Sequence, residues 1–116
     1  MPQQSTKQRR PDDGLDLVFH ALADPTRRSV VQRLGVGPAA TSDLARPFPM
    51  ALPSFIQHLD VLERSGLVTS RKQGRVRTYE LVPTRLSVAQ DWLAEQHELW
   101  TRRLDQLDEF LSSTPE

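Results

Sequence analysis

The chain has 116 residues, no cysteine and a formal net charge of zero. That fits one domain with a single modest core, and it excludes disulfides, thiolate metal sites and cysteine nucleophiles while agreeing with a reducing, cytoplasmic setting. No run approaches the roughly 20 apolar residues that span a bilayer, and the polar, basic segment 1–10 has no apolar stretch behind it, so it is not a secretory signal.

The neutral sum hides an uneven distribution. From Arg64 to Arg77 the charges are Arg64, Arg71, Lys72, Arg75 and Arg77, without an acid; from Arg85 onward acids outnumber arginines. A cationic middle beside an acidic tail leaves one face able to meet a polyanion.

Residues 1–13, rich in glutamine and carrying Pro2 and Pro11, read as a disordered leader. Its Lys7, Arg9 and Arg10 either touch phosphate or are simply solvated. Residues 14–112 form the domain, and 113–116 a short tail. Leu15, Val18, Phe19 and Leu22 follow the helical period and give a first helix. Asp24-Pro25 opens a second, with Asp24 as cap and proline at a position that tolerates it. Val30, Val31 and Leu34 supply its apolar face, and Gly35 and Gly37 end it. A very short third helix, capped by Thr41 or Ser42, runs through Leu44 and stops before Pro47.

The fourth helix begins near Leu52-Pro53 and reaches Ser65. Leu52, Phe55, Leu59 and Leu62 form its apolar face, flanked by Ile56, and Pro53, Ser54, Gln57, Val61 and Arg64 its outer face. Two short helices, a turn and a longer helix with an uncharged polar face outline a helix-turn-helix. Beyond it, segments 67–72 and 75–82 flank Gly74 and alternate with period two, so they form a β-hairpin with a cationic tip. The fold class is therefore mainly α with a small hairpin, a winged helix-turn-helix. Pro83 opens the longest helix. Leu86, Leu93, Trp100 and Leu107 recur every seven residues, as do Gln90, His97, Leu104 and Leu111. This heptad seam is too long for so small a chain to cover alone, and predicts a homodimer that also uses Leu15, Val18 and Phe19.

Four strings in order now carry a resemblance. Phe19 to Arg28 (FHALADPTRR), Pro47 to Leu62 (PFPMALPSFIQHLDVL), Glu63 to Val68 (ERSGLV) and Arg75 to Leu81 (RVRTYEL) resemble the arsenic-repressor (ArsR) family of winged-helix regulators. The likeness spans residues 15 to 112, and the proline-rich turn and Asp91-Trp92-Leu93 resemble a metal-independent branch. It implies a homodimeric repressor on a palindromic operator near its own promoter. Double-stranded DNA and a second copy are then the partners, with no cofactor and no membrane; whether a small-molecule effector exists is unknown.

On that frame Ser54, Gln57, Val61 and Arg64 face the major groove, where glutamine bonds an adenine edge and valine meets a thymine methyl. His58 makes either a phosphate contact or a structural hydrogen bond. Arg71, Lys72, Arg75 and Arg77 neutralise phosphates from the wing, and Arg75 can instead enter the minor groove. Thr41 and Ser42 serve a phosphate or the helix start. Two residues depart from the family pattern. Ala51 replaces a capping serine, and Asp60 stands where a base is common, so that it repels phosphate or pairs with Arg64 at i,i+4.

The family's metal sites find no ligands. One needs cysteines around the third helix, and the other falls on Pro83, Arg85, Gln96 and Leu99. A shifted set, Glu95, His97 and Asp108, lacks its fourth member, because Leu111 is there. Trp92 and Trp100 either line an effector pocket or pack in the seam. A sensor released by an organic ligand and a protein-interaction module remain alternatives. An enzyme is excluded, since His20, His58 and His97 lie on three different helices and none sits in a nucleophile motif.

Overall fold

The structure is a computed structural model describing residues 14–113. The 1–13 leader, with Lys7, Arg9 and Arg10, lies outside the described residues, as does all of the tail except Ser113. Chain order is α1 (Gly14–Leu22), α2 (Pro25–Leu34), β1 (Ala39–Ala40), α3 (Thr41–Ala45), α4 (Leu52–Arg64), β2 (Val68–Gln73), β3 (Val76–Leu81) and α5 (Pro83–Ser113).

The core gathers one apolar face from each element. Val18 and Ala21 of α1, Val30 and Leu34 of α2, Leu44 of α3, and Phe55, Leu59 and Leu62 of α4 meet Leu67, Val68 and Tyr79. Phe48, in the loop before α4, stacks on Phe55 with ring centres 5.4 Å apart. The expectation that Val18 belongs to a dimer surface is therefore corrected: its side chain is fully buried. Periodicity reveals that a face is apolar but not what covers it. Leu15, Phe19 and Leu86 are half-buried against the same core.

Helix boundaries follow local chemistry. The Asp24 carboxylate accepts the Arg27 backbone N–H at 3.1 Å, with Pro25 in the first turn. By contrast α3 starts from Ala40 with no side-chain cap, so the expected capping by Thr41 or Ser42 does not occur. The cause is a strand that sequence patterning did not signal. Ala39 and Ala40 pair antiparallel with Tyr79 and Thr78 of β3, and α3 leaves directly from that ladder. Thr41 Oγ1 donates across to the Arg77 carbonyl instead. The three-stranded sheet has the order β1-β3-β2.

The wing is a two-residue hairpin in which Gln73 faces Val76. Gly74 takes φ 63°, while no non-glycine residue among those described has positive φ. Glycine at the first turn position, followed by an ordinary residue, is the requirement of a type II′ turn. Gly66, at φ 85°, ends α4 in the left-handed region.

Helix α5 spans 31 residues, about 46 Å at 1.5 Å per residue. Its first part rests on α1: Ala89 is buried, and Trp92 meets Phe19 edge-on at 5.7 Å. Arg85 locks this base in place. Its Nε donates to the Ser65 carbonyl at 2.8 Å, and its side chain crosses Gly14 and Gly66, where any Cβ would collide with it. Beyond residue 96 every side chain of α5 is exposed among the described residues.

Candidate nucleic-acid interface

The exposed stripe of α4 carries Pro53, Gln57, Asp60 and Arg64 at intervals of four, three and four residues, one helical face. Ser54 and Ile56 flank it, both exposed. Val61 does not belong there. It is half-buried and packs on the core, which corrects its assignment to the outer face. The true centre of the stripe lies between Gln57 and Asp60, a few tens of degrees round from the expected centre at 100° per residue.

One side chain, Arg27, ties this helix to the body through three hydrogen bonds, one to α4 and two to α1. Arg27 of α2 donates from Nη1 to His58 Nδ1 at 3.0 Å, from Nε to the Ala21 carbonyl at 2.8 Å and from Nη2 to the His20 carbonyl at 3.1 Å. One guanidinium thus caps carbonyls at the end of α1, where His20 also accepts the Ala23 N–H, and grips α4. The Asp24 carboxylate lies 3.8 Å from His58 Nδ1. Burial pushes the Asp24 carboxyl up, but the Arg27 N–H and the charges of His58 and Arg27 outweigh it and hold the group below the ordinary aspartate range. His58 therefore makes the structural hydrogen bond that was one of its two expected roles. Neither Arg27 nor Asp24 was expected to take part, because the bond joins residues 31 apart in the chain.

The wing stands beside α4, and a groove runs between them. Thr41, Ile56, Asp60, Glu63, Lys72, Arg75, Arg77 and Tyr79 line it. Lys72 and Arg77 are cross-strand neighbours, so both point to this side, while Arg71 pairs with Thr78 on the other face, near Thr69 and Glu80. The structure thus brings Lys72, Arg75 and Arg77 together with α4 and sets Arg71 apart. All four are exposed.

Two acids share that groove, and they differ. Glu63 accepts a hydrogen bond from Ser70 Oγ at 2.9 Å, and Ser70 in turn accepts one from Arg77 Nη1 at 2.8 Å. Asp60 has no hydrogen bond or ion pair among the described residues. The expected Asp60–Arg64 pair is absent. Burial, then Glu63 and Asp60 against the opposing pull of Arg77, raises the Tyr79 hydroxyl above its ordinary range, so it stays a neutral donor.

Away from that groove in the chain, α5 displays Leu93, Trp100, Leu104, Leu107 and Leu111, each more than half exposed. These are heptad positions of the expected seam, and His97 lies exposed among them. No group of three or more potential metal ligands occurs among the described residues. Helix α5 holds Glu95 and Asp108 about 20 Å apart along its axis, so the shifted ligand set cannot close within one chain. Among the described residues no helix is long and apolar enough to cross a membrane.

Comparison with known proteins agrees with this architecture. A family model described as a helix-turn-helix domain matches residues 22–71. The HTH-type transcriptional regulator Rv2034 of Mycobacterium tuberculosis is 43% identical over 77% of this chain and 80% of its own length. The crystal structure of an ArsR family transcriptional regulator superposes with a TM-score of 0.75 at 51% identity, covering 79% of this chain and 95% of that one. A homodimeric winged helix-turn-helix DNA-binding domain from Mycobacterium bovis, a possible ArsR-family regulator, matches with a TM-score of 0.64 at 25% identity, covering 85% and 94%. With the helix-turn-helix, the wing and these relatives in agreement, the chain belongs to the ArsR family of winged helix-turn-helix transcriptional regulators and is a DNA-binding protein rather than an enzyme.

Proposed function

We propose that the protein is a homodimeric repressor that acts in the cytoplasm on a palindromic operator, near its own promoter, without a metal signal. The observation that carries this reading is the presence of two separate exposed surfaces on one small domain. Ser54, Gln57 and Arg64 present a polar helix face beside the cationic wing, and α5 offers a leucine-rich stripe of dimerising length.

A twofold dimer built on α5 carries two reading helices related by symmetry, and a symmetric reader calls for an inverted-repeat site. In this assignment Ser54 and Gln57 read bases. Lys72, Arg75 and Arg77 neutralise phosphates on the α4 side of the wing, and Arg71 does so from its other face. Thr41 and Ser42, at the start of α3, border the same region. Metal independence is supported by the chemistry of the residues present. There is no thiol in the chain, and Arg85, at one family ligand position, is a permanent cation bonded to the Ser65 carbonyl.

Selection of bound duplexes from a random pool by the full chain tests the reading. An enriched inverted repeat is the expected result. Binding that enriches no sequence, or only a single unrepeated half-site, overturns it.

A further inference from the structure

We infer that Asp60 is a specificity-determining residue that selects cytosine at one base pair of each half-site, by accepting a hydrogen bond from the cytosine N4 amine in the major groove. The inference rests on the DNA-reading role proposed for α4. Asp60 sits within the exposed stripe of that helix, one turn from Gln57 on one side and from Arg64 on the other. It is not at the margin, where a stray acid would have little effect.

The carboxylate is also unengaged. Arg64 does not pair with it, Arg77 is turned to Ser70, and the neighbouring acid Glu63 is already bonded. A free negative charge on a surface meant for a polyanion weakens every phosphate contact around it. It is compatible with tight binding only where it finds a donor. A carboxylate has acceptors alone, and the major-groove floor offers just two donors, the amines of cytosine and adenine. Adenine places its N7 acceptor beside that amine, against the second carboxylate oxygen, whereas cytosine places a C–H there. Guanine and thymine present acceptors to the carboxylate and are rejected. The charge thus acts mainly by exclusion, and the wing cations Lys72, Arg75 and Arg77 offset its cost in affinity.

The test compares the full-length wild type with Asp60→Ala and Asp60→Asn, in random-pool selection and in titrations of the selected operator and a scrambled duplex. The side chain is exposed, so both variants should fold. Asp60→Ala is expected to lose one cytosine preference per half-site while keeping its neighbours, and to bind scrambled DNA more tightly. Its operator-to-scrambled ratio should fall roughly tenfold or more. Asp60→Asn should move the preference at that position from cytosine to adenine, because an amide pairs with adenine N6 and N7. If Asp60→Ala tightens operator and scrambled DNA by the same factor with an unchanged motif, the carboxylate only repels, and the proposal falls while the reading role of α4 stands. If the wild type itself selects no motif, both fall.

Discussion

The α5 stripe allows a quantitative test of assembly. Leu104 and Leu107 are 56% and 52% exposed, so about half of each side chain remains to be covered by a partner. Cutting leucine to alanine removes roughly three methylene equivalents at ~0.8 kcal/mol each. With half of that burial outstanding, each truncation costs about 1.3 kcal/mol of association. The double variant Leu104→Ala/Leu107→Ala repeats the loss in both protomers, about 5 kcal/mol in all, or more than three orders of magnitude in Kd. Light scattering and sedimentation over a concentration series measure it. The parent should run at twice 13.2 kDa at micromolar concentration, and the variant as a monomer with unchanged far-ultraviolet circular dichroism, because both residues are solvent-facing within one chain. A folded variant whose dimer constant stays within tenfold of the parent would refute the assignment of this face.

Other expectations follow from single contacts. Gln57→Ala should cost roughly 1–3 kcal/mol per half-site on the operator and flatten one base preference, whereas Arg75→Ala should weaken operator and random DNA alike and lower the salt slope by about one unit per subunit; titrations on both duplexes across a salt series separate them. Zinc and a chelator should leave operator affinity unchanged, and a shift above about tenfold, ~1.4 kcal/mol, would reveal a metal site. Asp24→Asn keeps the cap but removes the charge. Because the Asp24 carboxyl is held low in the folded chain, its charge stabilises above the ordinary carboxyl range, and the benefit disappears as pH falls through the lowered value. Urea unfolding should therefore separate wild type and variant at pH 7 and bring them together once the pH has fallen through the lowered value. Gly66→Ala puts a side chain at φ 85° against Arg85, with Cβ 2.7 Å from its Nε, and should lose about 1–3 kcal/mol in the same assay.

Much of the fold was readable because local chemistry and tertiary packing agree. Asp24-Pro25, Gly35, Leu52-Pro53 and Gly74 mark their boundaries through capping and turn geometry, which act over three or four residues. What escaped is long-range. Ala39 and Ala40 carry no strand signal of their own and become a strand because β3 offers an open ladder. Val18 and Leu104 look alike in a periodic pattern, yet one is core and the other surface, since α1 is covered by its own chain. Val61 turns toward the core and Asp60 joins the exposed stripe because α4 packs a few tens of degrees round from the ideal projection. The Arg27–His58 and Arg85–Ser65 bonds join distant positions through long side chains, for which no spacing rule exists.

The bond between Arg27 and His58 also fixes a proton. A guanidinium has no acceptor, so at 3.0 Å the Nδ1 of His58 must offer its lone pair. In the neutral ring the single hydrogen is then on Nε2, and the tautomer is chosen by a residue on a different helix. Anchoring α4 therefore occupies Nδ1 alone and leaves Nε2 as the donor of the neutral ring. Glutamine or asparagine at position 58 could accept from Arg27 through its amide oxygen, but only an imidazole keeps acceptor and donor at fixed positions of a single rigid plane.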